Sequence, residues 1–120
     1  MKKVKINELK EFSVKALEKV GVSKQNAETV AEVLVATDVF GVVTHGTKNL
    51  CQYIEKMQAG GLDAQAEPSI VCEGLSYAII DGNKAVGMVS ACKAMGLAIK
   101  KAKETPISLD KQTKKRYNSF

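Results

Sequence analysis

The chain has 120 residues, enough for one domain with its own core and too few for two ordinary domains. With 45% hydrophobic and 26% charged residues it reads as a soluble globular chain, and an aromatic content of 5% without tryptophan argues against a stacking surface for nucleic acid. The net charge of +5 is concentrated at one end: Lys111, Lys114, Lys115 and Arg116 face Asp110 alone, so the sequence divides into a body over 1–104 and a divergent basic tail over 105–120.

From Asn7 to Val20 the apolar residues Leu9, Phe12, Ala16, Leu17 and Val20 recur at three- and four-residue steps, and Gly21 follows as a C-terminal cap. This pattern predicts a first amphipathic helix. Ser23 caps a second helix whose apolar positions are Ala27, Val30, Ala31, Leu34 and Ala36 and which fades near Phe40-Gly41. The short loop between them predicts an antiparallel pair. A third helical pattern runs after Gly46 through Leu50, Tyr53, Ile54 and Met57 to Gly60-Gly61.

The period then changes. Ser69 to Glu73 and Ser76 to Asp81, with Gly74-Leu75 between them, predict a short β-hairpin, which needs a larger sheet or the helices to support it. Asp81-Gly82-Asn83 forms a turn. A fourth helix follows from about Val86 to Lys103, with Met88, Cys92, Met95, Ile99 and Ala102 as its apolar stripe, read as core packing, and lysines complementing the dipole at its end. Together these elements predict a helix-rich α+β fold.

Cys51, Cys72 and Cys92 are odd in number and widely spaced, which predicts neither a disulfide framework nor a zinc site; free thiols and the lack of a signal-peptide pattern point to the cytoplasm. No uncharged apolar run approaches the roughly 20 residues of a membrane span. The glycine spacing of Gly82 to Gly87 is that of a phosphate loop, but Met88 and Val89 stand where such a loop needs Lys and Ser or Thr.

The chemistry-bearing residue is His45, the single histidine, in the junction between the second and third helices. An imidazole exchanges protons near neutral pH, Thr44 can hold the ring, and Gly46 lets the backbone pass close to a ligand. Amide groups at the start of the following helix favour an anion, which fits a carboxylate substrate. A histidine satisfying a hydrogen bond at a helix end is the alternative on residue type alone.

Two blocks carry a resemblance. The first is Ala36-Thr37-Asp38-Val39-Phe40-Gly41-Val42-Val43-Thr44-His45-Gly46, with Tyr53 and Gly60-Gly61 downstream; the second is Ile80-Asp81-Gly82-Asn83-Lys84-Ala85-Val86-Gly87, with Ala94-Met95 and Ala98-Ile99-Lys100-Lys101-Ala102. Over roughly residues 4 to 104 the chain resembles the N-terminal portion of the malate/L-lactate dehydrogenase family, the non-Rossmann oxidoreductases that include ureidoglycolate, sulfolactate and diketogulonate enzymes. The resemblance implies NAD(P)-dependent interconversion of small 2-oxo and 2-hydroxy acids, with NAD or NADP as cofactor, and a homodimer. It implies His45 as the general acid on the ketone oxygen and Thr44 as the hydroxyl that orients the ring.

Two departures stand out. Where the family has an arginine that grips the substrate carboxylate this chain has Asn49, beside Lys48, so Asn49 and Lys48 are the substrate-binding candidates and weaker carboxylate binding is expected. After Ile107-Ser108 the sequence turns polar and basic instead of continuing as a buried strand. A truncated protein of low or no activity is therefore expected, or else a non-catalytic fragment that associates with itself or a partner.

Overall fold

In the computed structural model, residues 3–105 are described; the basic tail, apart from Thr105, lies outside them. The first helix, α1 (Ile6–Lys19), joins α2 (Lys24–Val39) through a short connection, and the two pack against each other. The cap expected at Ser23 is present: its Oγ accepts from the backbone N–H of Asn26 at 3.3 Å. Two single 3₁₀ turns, Val43–His45 and Thr47–Asn49, lead into α3 (Leu50–Ala59). The hairpin of β1 (Ser69–Glu73) and β2 (Ala78–Asp81) follows, and then α4 (Gly87–Glu104).

The core lies in the helical half. Leu17, Val22, Ala27, Val30, Leu34 and Leu50 are buried together with Val86 and Val89 from the start of α4, and Tyr53, Ile54 and Met57 of α3 pack against this cluster. Side chains three and four apart on one helix share a face, and those faces meet here. The stripe predicted for α1 needs one correction. Phe12 is 66% exposed, and the inner position beside it is taken by Ser13, which is fully buried and donates its hydroxyl to the carbonyl of Leu9 at 2.8 Å. Likewise Ala36 of α2 is exposed and Val35 is buried in its place.

The larger correction concerns α4. Of its predicted stripe only Met88 reaches the core; Cys92, Met95, Ile99 and Ala102 are exposed, Met95 by 62%. Among the described residues the hairpin is all that lies along this helix beyond its first turns, and β1 is exposed along its whole length. The strands pair antiparallel with Ile70 opposite Ile80 and Cys72 opposite Ile79, leaving Val71 as a bulge. β2 starts two residues later than the pattern predicts, because Gly74 donates its N–H to the carbonyl of Tyr77 at 3.0 Å and Tyr77 belongs to the turn.

No helix among the described residues is long and apolar enough to cross a membrane.

Candidate functional site

The second helix ends where the sequence predicts. Gly41 takes a left-handed φ of 87°, its N–H bonding the carbonyl of Asp38 at 2.9 Å, while the N–H of Val42 bonds the carbonyl of Thr37 at 3.1 Å. This closure turns the chain so that Val43–His45 can form a separate 3₁₀ turn, with the His45 N–H bonded to the carbonyl of Val42 at 3.1 Å.

His45 ends that turn and is exposed. Thr44 Oγ1 lies 2.9 Å from its Nδ1. A protonated Nδ1 donates to the Thr44 hydroxyl oxygen, and an unprotonated one accepts from the hydroxyl; in both cases Nε2 is left out of this contact. Asn49 comes into the same group: its Nδ2 donates to the backbone carbonyl of Thr44 at 3.0 Å. One amide hydrogen is thereby committed to the junction and one remains. Lys48, on the neighbouring 3₁₀ turn, is exposed.

The close approach expected at Gly46 is present, with a different partner. A Cβ on Gly46 would stand 1.7 Å from Oδ1 of Asp38, so the glycine makes room for a carboxylate of the chain itself. Asp38 Oδ2 accepts from the N–H of Thr47 at 3.2 Å and also from the Thr47 hydroxyl. The local sequence signal at Asp38 is only that of an acidic residue in the last turn of a helix, where the dipole disfavours it.

The structure thus brings Thr44, His45 and Asn49 together and adds Asp38 and Thr47 behind them. A concavity of about 300 Å³ between the hairpin and α4, lined by Tyr77, Ile80, Leu97 and Lys101 among others, includes none of these residues. Among the described residues no group of three or more His, Cys, Asp or Glu side chains is placed to hold a metal ion.

The fold built around this junction is that of solved hydroxy-acid dehydrogenases. Malate dehydrogenase from Pyrococcus horikoshii superposes with a TM-score of 0.84 at 39% identity, covering 87% of this chain and 30% of that one. In sequence the chain is 41% identical over 98 residues to malate dehydrogenase of Pyrococcus horikoshii, covering 82% of this chain and 27% of the relative. It is 36% identical over 100 residues to L-sulfolactate dehydrogenase of Methanocaldococcus jannaschii, covering 83% and 29%. Against ureidoglycolate dehydrogenase (NAD(+)) of Escherichia coli strain K12 it is 34% identical over 89 residues, covering 74% and 26%. Residues 4–110 match the family model for malate/L-lactate dehydrogenase, and the chain belongs to that family. It spans less than a third of the length of these relatives.

The glycine-spaced turn over residues 82–87 is not built as a phosphate loop. Val86 is buried in the core, as is Val89 just beyond it, and Met88 packs against them. The side chains a phosphate would need are thus replaced by core residues.

Proposed function

We propose that the chain carries the proton-transfer half of an NAD(P)-linked interconversion of 2-oxo and 2-hydroxy acids, with His45 as general acid on the ketone oxygen and as base in the reverse direction. The observation behind this reading is the Thr44 hydroxyl oxygen at 2.9 Å from Nδ1: with Nδ1–H donating to it, the cationic ring gives up its proton from Nε2 and the neutral ring takes one back at the same atom. The remaining amide hydrogen of Asn49 and the ammonium group of Lys48 are the groups for the substrate carboxylate. An amide and a point charge replace a two-pronged guanidinium, so binding is weak.

Because the chain matches less than a third of the length of its dehydrogenase relatives, we infer that the 120-residue chain alone turns over slowly or not at all. Purified protein supplied with oxaloacetate or pyruvate and NADH or NADPH should oxidise the dinucleotide at background rate. Brisk turnover, lost in His45→Ala, would refute that part of the reading. Binding is tested separately by adding oxamate, an unreactive 2-oxo acid analogue, and following the His45 ring signals by NMR. Signals indifferent to oxamate would count against a substrate site at the junction.

A second reading, a self-associating or partner-binding fragment, is favoured by exposed apolar side chains. Phe40, Val42 and Val43 flank the junction, and Val71, Ile79, Met95 and Ile99 line the hairpin and α4. A homodimer in the cytoplasm, where its free thiols stay reduced, is the form this reading expects. Sedimentation as a dimer, or co-purification with a full-length family member, supports it; a monomer without partners opposes it.

A further inference from the structure

His45 is exposed and stands on a turn of only three residues, so a helix or strand does not fix it. The chain on its C-terminal side is nevertheless tied down. Asp38, nine residues before Thr47, accepts both its backbone N–H and its hydroxyl. The same carboxylate abuts Gly46, where no other residue type leaves space for it. Asp38 stands in the last turn of α2, whose dipole repels a carboxylate there, and no basic residue lies in that turn to offset it. Its position is unfavourable for the helix and useful for the junction.

We infer that Asp38 is the positioning residue for His45: by holding Thr47 and Gly46 against the rigid end of α2, its carboxylate sets where the imidazole stands. This rests on the reading of His45 as the proton donor, and it adds the group that gives that donor a fixed place. Asp38 acts through the backbone and through Thr47.

The single histidine makes the test direct. Ring nitrogen and carbon signals of His45 in the 120-residue protein report its tautomer and its mobility without recourse to activity. In Asp38→Leu and Thr47→Val the His45 signals should broaden, and the pattern of a single ring tautomer should be lost, while the amide signals of α1 and of the first turns of α2 stay in place. Asp38→Asn, which keeps a carbonyl oxygen for the two donors, should restore most of the wild-type pattern. Thr47→Val removes only a hydroxyl donor, so it carries the comparison even where Asp38→Leu fails to fold. Unchanged His45 signals in folded Thr47→Val would overturn the inference. Failure of the proton-donor reading looks different: the wild-type ring would ignore oxamate while the variants still lost the ordered pattern.

Discussion

Lys101 of α4 and Glu73 of β1 form an ion pair at 2.9 Å, and the same ammonium group donates to the carbonyl of Gly74 at 2.6 Å. Only 14% of the lysine side chain is exposed, so its stem lies along the seam and its head closes the hairpin turn. At the other end of β1, Lys93 donates to the carbonyl of Pro68. The two lysines hold a strand whose own side chains bury nothing.

Replacing Lys101 by Met keeps the stem and removes the donor. Hydrogen bonds to charged groups contribute about 1.5–3 kcal/mol, and the half-exposed Glu73 reduces the value of the pair, so a loss of about 1–2 kcal/mol is expected. Hydrogen exchange should show it as earlier opening of the β1–β2 amides, with α1 and α2 unaffected. Equal protection in both proteins would mean that the hairpin does not depend on this contact.

Ser13 and Leu17 are both fully buried on the inner face of α1, yet their replacement by Ala should differ sharply. Leu17→Ala leaves a cavity in the core cluster and costs about 2–5 kcal/mol. Ser13→Ala removes a hydroxyl that bonds only the carbonyl of Leu9, one turn back, and substitutes a better helix former, so its effect stays within about 0.5 kcal/mol. Urea midpoints of the two variants check the contrast.

Lys84 has a φ of 66° directly after Asn83 at 52°. The Asn83 side chain repays its own conformation by donating to the carbonyl of Glu67 at 2.8 Å and to Ser69 Oγ at 3.0 Å, whereas Lys84 contributes only its backbone carbonyl, to the N–H of Asp63. A left-handed lysine costs about 1–2 kcal/mol, and glycine returns part of that through the freedom of the unfolded chain. Lys84→Gly should therefore stabilise the protein by about 0.5–1 kcal/mol, read as a raised melting temperature.

The helices and the hairpin were legible because their periods and end residues are local. Ser23, Gly41 and Gly60 act within a few positions of where they stand in the sequence. Periodicity marks which face of a helix is apolar, but it carries no information about what covers that face. Met95 and Ile99 accordingly lie on an apolar stripe and are nevertheless exposed, and Ser13 takes the inner position beside an exposed Phe12. At the site, the Thr44–His45 pairing follows from adjacency. Asp38 reaching Thr47 nine residues on does not, since it depends on how the chain leaves α2.

That dependence gives a coupled prediction for Gly46 and Asp38. The φ of Gly46 is −96°, outside the left-handed region, and the three atoms nearest to a side chain there all belong to the Asp38 carboxylate group. Gly46→Ala forces the Asp38 side chain away and breaks both of its bonds to Thr47, a loss of about 2 kcal/mol at the level of a charged hydrogen-bond group. Asp38→Ala loses the same bonds by itself. Once the carboxylate is gone, the three atoms nearest to a methyl group on Gly46 are gone with it, and the second change should add less than about 0.5 kcal/mol. The double variant is therefore expected to be little worse than either single one, a coupling well outside simple additivity. Urea denaturation of the four proteins measures it. Additive losses would show that Gly46 is required for something other than the approach of Asp38.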